Sequence, residues 1–211
     1  MPSSESHTPR AVTAEDAGTP VYAVWELTIR CDHACAHCGS RAGSFQRPGE
    51  LDRETALATA RELARLGTRE VTLIGGEAYL SPHCLPVIRE LVGAGVRVTM
   101  QTGGLGMTPG RVARLKDAGL TGMGFSIDGP EDVHDVLRDR PGSFRAATDG
   151  LRAAVDAGLA VTANSQLNRL NRDRLEETGS LLKALGARAW RVQLTVPMGR
   201  AADRPEWILQ P

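Results

Sequence analysis

The 211-residue chain is poor in aromatic residues, which make up 4% of it, and has no excess of either charge, 25 Lys plus Arg balancing 25 Asp plus Glu. The first scarcity disfavours recognition of single-stranded nucleic acid by base stacking. The second removes the electrostatic footprint of a nucleic-acid or membrane-surface binder. No run of about 18 apolar residues is present, so no segment reads as a membrane span. The opening residues are polar and lack the apolar centre of a secretion signal, and the expected location is the cytoplasm. Cysteine is confined to Cys31, Cys35, Cys38 and Cys84. Three of these crowd into one short segment, unlike a disulfide framework, and a reducing compartment disfavours disulfides in any case. Lysine is nearly missing, with Lys116 and Lys183 alone, and the matching abundance of arginine carries no functional weight. Hydrophobic residues, at 41%, suffice for a buried core.

Residues 1–19 are rich in Ser, Thr, Pro and acidic side chains without apolar periodicity, and are expected to form a flexible leader. Residues 20–211 read as one domain. Its strongest signal is a repeated junction in which an amphipathic run meets a glycine and then a short β-rich run. The glycines are Gly67, Gly95, Gly119, Gly158 and Gly186. Each stands where a helix C-terminal residue turns left-handed and releases the chain into a strand. Helix starts are expected at Asp52, at Ser81-Pro82 and Thr108-Pro109 as cap followed by proline, and at Ser143 and Asn171. With a first strand over Val21 to Ile29, this pattern specifies six parallel strands and five intervening helices. The fold class is α/β, either an open sheet or a partial barrel. In both, ligands bind at the carboxyl ends of the strands.

The loops at those ends carry the unusual chemistry. After strand one comes Cys31-Asp32-His33-Ala34-Cys35-Ala36-His37-Cys38, a C-x3-C-x2-C spacing. Three thiolates on one tight loop can hold three corners of an iron–sulfur cube and leave the fourth iron open. The competing reading is zinc held by the three cysteines with His33 or His37, although structural zinc ordinarily draws on two separate ligand pairs. Gly75-Gly76-Glu77 follows strand two. Phe125-Ser126-Ile127-Asp128-Gly129-Pro130 follows strand four, with His134, Asp135 and Arg138 beyond it.

In this register the motifs resemble the radical SAM (S-adenosylmethionine) superfamily, and in particular its SPASM-type peptide- and natural-product-modifying subgroup. The resemblance spans roughly residues 21–201. It implies a partial (β/α)6 TIM-like barrel, although no final covering helix is legible after strand six. It implies that Cys31, Cys35 and Cys38 bind a 4Fe-4S cluster whose open iron is chelated by SAM. It further implies SAM contacts from Gly75, Gly76 and Glu77, with Glu77 receiving the methionine ammonium. Ser126 and Asp128 are expected near the ribose and methionine, Arg138 near the SAM carboxylate, and His37 near the adenine. Two departures stand out: Ala78 replaces the usual proline, and Gly103 stands where many relatives have asparagine, so no role is carried to Thr102-Gly103-Gly104, although Gln101 is a candidate replacement.

The implied activity is reductive cleavage of SAM to methionine and a 5′-deoxyadenosyl radical that abstracts a substrate hydrogen, with an external donor such as a flavodoxin or ferredoxin. No residue announces itself as a radical relay or general base. Asn164, Gln166 and Asn168 are candidates for ribose or substrate contacts, with turn formation as their simpler use. Pro197 to Ala201 resembles a P-x-G-R-A stretch of the SPASM-type members. Cys84 reads as helix packing. No cysteine follows Cys84, which leaves no ligands for auxiliary clusters in this sequence. The apolar positions Trp190, Val192, Leu194 and Val196 of strand six suggest a truncated or split form needing a partner chain. The substrate is expected to be a peptide or natural product. The alternatives are a small metabolite, or a core inactive without its partner.

Overall fold

The computed structural model describes residues 18–210. Most of the expected leader, residues 1–17, lies outside these. Six strands alternate with helices: β1 (Tyr22–Glu26), α1 (Arg53–Arg65), β2 (Glu70–Ile74), α2 (Cys84–Gly93), β3 (Arg97–Thr102), α3 (Pro109–Asp117) and β4 (Gly122–Ser126). There follow α4 (Glu131–Arg138), α5 (Ser143–Asp156), β5 (Ala160–Leu167), α6 (Leu175–Ala184) and β6 (Ala189–Leu194). The strands pair in parallel, each with its sequence neighbour, in the order 1-2-3-4-5-6. They curl into a half-barrel, the architecture that the resemblance implies. Among the described residues no helix is long and apolar enough to cross a membrane.

The strand period of two divides the side chains between two faces. Val71, Leu73, Val98, Met100, Met123, Phe125, Val161 and Ala163 point outward into the core beneath the helices. The alternate positions, among them Thr72, Thr99, Gln101, Asn164 and Gln193, face the bore. Gly122 and Gly124 on β4 leave room there: a Cβ on Gly124 would lie 2.0 Å from Gln101 Oε1. All five junction glycines adopt positive φ, between 77° and 103°, as expected of left-handed helix ends. Asp52 caps α1 through the Thr55 N–H at 2.8 Å, and Thr108 with Pro109 starts α3.

Four expectations are corrected. β1 is shorter than Val21 to Ile29, because beyond Glu26 the backbone turns to pair with the cysteine loop, Cys31 N–H donating to Gly43 O at 2.6 Å. α2 starts at Cys84, two residues beyond Pro82, since Ser81 Oγ accepts the His83 N–H in a turn of its own. Ser143 and Asn171 do not cap helices: Ser143 lies inside α5 with its hydroxyl between two histidines, and Asn171 Oδ1 closes a turn on the Asn168 N–H. The described residues form six α-helices in place of five. Asp139, left-handed at φ 50°, ends α4, and Gly142 at φ 81° opens α5, which splits the β4–β5 connection. After β6 the described chain forms short 3-10 turns at Gly199–Asp203 and Pro205–Trp207.

Candidate functional site

One cleft opens at the carboxyl ends of the strands. It is lined by Cys31, Cys35, Cys38, His37, Gly75, Gly76, Glu77, Ser126, Asp128 and Arg138, the three expected cluster ligands and the seven expected SAM contacts. Asn164 and Gln166 line it too, whereas Asn168 is buried in the turn after β5 and bonded to Leu170 N–H and Gln166 O.

The cysteine loop is held from several sides. Glu50 accepts from Thr28 Oγ1 and the Ile29 N–H at its base. Ala36 N–H and His37 Nδ1 both reach Leu137 O of α4 at 3.0 Å. A directed hydrogen-bond chain fixes His33. His134 Nδ1 accepts the Asp128 N–H, so its Nε2 carries the proton and donates to Ser143 Oγ at 3.2 Å. The Ser143 hydroxyl then donates to His33 Nε2 at 3.0 Å, leaving His33 Nδ1–H to donate to Asp32 Oδ1 at 3.1 Å. Tyr79 OH donates to the other oxygen of Asp32. Burial, then the charge of Arg138, pushes His134 down to about 3, which keeps it neutral and the direction of this chain constant. His134 and Asp135, which accepts from Gly142 and Phe144 N–H, shape the loop.

The thiols differ. Burial pushes Cys31 up to about 12 and raises Cys35. At Cys38 burial acts the same way, but hydrogen bonding to Ser40 and the Ala42 backbone and the charge of Arg200 outweigh it and bring the thiol below its ordinary range. Side chains gathered within 4.8 Å of one another at this loop are Cys31, Asp32, His33 and Glu77, a group to which Cys35 and Cys38 do not belong. A single tetrahedral zinc with thiolates at about 2.3 Å draws its sulfurs within about 4 Å of each other. The two histidines of the zinc reading are also engaged, His33 with Asp32 and Ser143, His37 with Leu137. Three thiols on one loop that do not all lie within 4.8 Å of one another suit a polynuclear cluster better.

Glu77 is buried, with Thr102 Oγ1 donating to one carboxylate oxygen at 2.6 Å and Gly103 N–H to the other. Burial pushes it up to about 8 despite those donors. Thr102 and Gly103 are thus partners of the site that the sequence reading left without a role; their place at the carboxyl end of β3 was the available signal. A Cβ on Gly103 would lie 3.0 Å from both Glu77 and His33, which accounts for glycine there. Gln101 lines the same cleft, its Oε1 accepting from Asn164 Nδ2 at 2.5 Å. Gly75 and Gly76 also gain a different rationale. A Cβ would stand 2.4 Å from Thr28 O at Gly75 and 2.1 Å from Arg30 O at Gly76, so the backbone of the cysteine strand demands glycine. The pair is sealed by Gly76 N–H to Thr28 O and Glu77 N–H to Arg30 O.

Arg138 is no solvated charge. It is 8% exposed, pairs with Asp128 Oδ2 at 2.7 Å and reaches Cys35 Sγ at 3.6 Å. Burial opposes ionisation of Asp128, but Arg138, with His37 and His134, holds its carboxyl at about 2. Arg138 Nε remains buried without a hydrogen-bond partner. A buried carboxylate with two fixed donors and a guanidinium with a spare N–H, in one cleft, are complementary to the ammonium and carboxylate of an amino acid. These residues therefore fit the methionine end of SAM. Cys84 is buried in the core with no polar partner among the described residues, and burial alone pushes its thiol up to about 12.

A family model for the radical SAM superfamily matches residues 25–182. The AdoMet-dependent heme synthase of Oleidesulfovibrio alaskensis is 32% identical over 194 residues, 90% of this chain and 50% of that protein. The PqqA peptide cyclase of Ruegeria pomeroyi is 32% identical over 194 residues, 91% of this chain and 50% of that protein. Streptococcus suis SuiB, solved bound to S-adenosylmethionine, superposes with a TM-score of 0.73 at 13% identity, covering 84% of this chain and 41% of that one, a likeness of fold. The chain spans about half the length of the curated relatives it matches.

Proposed function

The chain belongs to the radical SAM superfamily, and on that premise we propose that it is an enzyme that cleaves SAM reductively at a 4Fe-4S cluster and modifies a peptide or natural product. The observation that carries this reading is the convergence of three loop cysteines, a buried glutamate and a buried arginine with a spare donor on one cleft. Cys31, Cys35 and Cys38 would hold the cluster. Bound SAM would supply a 5′-deoxyadenosyl radical on one-electron reduction. The protein's own part is recognition and orientation. Glu77 accepts the methionine ammonium, aimed by Thr102 and Gly103. Arg138, itself fixed by Asp128, receives the carboxylate. Gly75 and Gly76 set the backbone beside it, and Ser126 and His37 complete the wall towards the ribose and adenine. Enclosing the radical on this wall keeps water and competing hydrogen donors away.

The electron comes, on this reading, from an external carrier such as a flavodoxin or ferredoxin. The outer face of β6, where Val192, Leu194 and Val196 are 41%, 64% and 54% exposed, is a surface for a partner chain. A small-metabolite substrate is the second reading, supported by the heme synthase relative.

The test is iron and sulfide content of anaerobically reconstituted protein, with 5′-deoxyadenosine measured after adding dithionite and SAM. About four irons per chain and SAM-dependent 5′-deoxyadenosine are expected. Zinc without sulfide would overturn the proposal. Turnover of a precursor peptide rather than a tetrapyrrole separates the two substrate classes.

A further inference from the structure

The segment after β6 crosses back over the loop that carries the three cysteines. Gly199 sits at φ 58°, so close that a Cβ would lie 2.3 Å from the carbonyl oxygens of both Cys38 and Gly39. Arg200 follows. Its backbone N–H donates to Cys38 O at 2.9 Å. Its guanidinium forks, Nε donating to Cys35 O at 2.7 Å and an Nη to Ala42 O at 2.9 Å. One residue thereby ties three carbonyls of a loop that lies far from it in sequence. From the loop's side, Arg41 donates to Gly199 O at 3.0 Å and pairs with Asp203. Cys35 and Ala42 are buried, and a buried carbonyl left without a donor is costly.

We propose that Arg200 is a positioning residue for the cluster: its fork locks the cysteine loop in the ligating shape and places a fixed positive charge behind Cys35 and Cys38. The planar guanidinium is needed because two carbonyls must be served at once in fixed directions, which a lysine ammonium on a flexible stem does not do. The proposal rests on the cluster reading above for its redox part, but the locking of the loop does not depend on it. α4 holds the loop on its other side, through Leu137 O and Arg138, so the strap after β6 completes the enclosure. The last strand of the half-barrel thus acts on the chemistry at the first.

The test compares wild type with R200Q, which removes fork and charge, R200K, which keeps the charge, and R204Q as control. Arg204 lies on the same strap, stacked on Trp207. Amide hydrogen exchange over residues 31–43 of the reduced apoprotein reads the lock without any cluster. Loss of a hydrogen bond worth about 1.4 kcal/mol corresponds to about tenfold faster exchange, expected in R200Q and R200K and not in R204Q. In reconstituted protein, iron loss to a chelator should accelerate in the same two variants. The cluster midpoint potential should fall in R200Q and stay in R200K, because a nearby cation favours the more negative reduced cluster. Should R200Q prove unfolded, R200K decides the exchange and iron-loss arms. Wild-type exchange and iron retention in R200K, or an unchanged potential in a folded R200Q, would overturn the proposal. Failure of the wild type to take up iron and sulfide would instead refute the cluster reading and leave the exchange experiment to decide the lock.

Discussion

Replacing Arg138 with methionine should be among the most damaging single changes to the fold. The guanidinium is 10% exposed and its partner Asp128 is fully buried, so solvent cannot take over when one is removed. Removing one partner of a buried pair typically costs about 3–5 kcal/mol, because the other charge stays behind uncompensated. The carboxyl itself gives an independent scale. Arg138 and the neighbouring histidines hold it at about 2 against burial, compared with 3.8 for free Asp. That difference is about 2 kcal/mol of preference for the ionised, folded form. The sign follows. A depressed folded pKa contributes stability that is present above about pH 4 and is lost as pH falls towards 2. In R138M burial outweighs what remains, the histidines and the Gln166 N–H, and raises the carboxyl above its ordinary value, so the variant loses stability as pH climbs. His37 Nε2, 3.4 Å from the same oxygen, can take up a proton at low pH and works in the same direction. The deficit should therefore shrink as pH falls towards 2, stand at about 2 kcal/mol near pH 4.5 and approach about 3–5 kcal/mol by pH 8. Urea unfolding of the apoprotein across that range measures it. The double variant D128N/R138M should recover at least about 1 kcal/mol over R138M, since no charge is left buried. A deficit below about 1 kcal/mol at pH 8, or one independent of pH, would refute the reasoning.

Glu77 makes the opposite pH prediction. Its carboxyl is raised from 4.5 to about 8, so the stability it contributes is present at low pH and is lost as pH climbs from about 4.5 to about 8. E77Q should flatten that decline in urea unfolding. Accepting the SAM ammonium requires the ionised form, so calorimetric SAM affinity of the reconstituted protein should rise up to about tenfold per pH unit below pH 8 and lose that dependence in E77Q. Gly76→Ala should cost about 1–3 kcal/mol or prevent folding, because its Cβ would stand 2.1 Å from Arg30 O; a thermal melt within a degree of wild type would contradict the close approach. Serine at Cys31, Cys35 or Cys38 should each abolish stable iron and sulfide binding, whereas C84S should leave the iron content intact and lower stability modestly by burying a hydroxyl among apolar side chains.

Much of this was legible along the chain because it depends on near neighbours. A helix end that must turn left-handed calls for glycine, and the five junction glycines marked every helix-to-strand step that structure displays. The C-x3-C-x2-C spacing and Gly75-Gly76-Glu77 announce a cofactor because their atoms are close in sequence as well as in space. Thr108-Pro109 and Asp52 mark helix starts for the same reason. What stayed hidden depends on which carbonyl or side chain arrives from another strand. Ser143 has the composition of a helix cap, yet its hydroxyl is taken by His33, 110 residues away in sequence, and by His134. Arg138 reads equally well as a surface charge until α4 is laid against the cysteine loop and Asp128. The glycines of Gly75-Gly76 are glycines because the backbone of Thr28 and Arg30 runs past them, a contact made only when β1 and β2 pair. Arg200 becomes part of the site only because the barrel curls the end of β6 back onto the loop after β1, bringing a guanidinium to the carbonyls of Cys35 and Ala42. Local chemistry determined which elements form and which residues can ligate. Long-range packing decided which of them meet, how their charges are paired and which protons they keep.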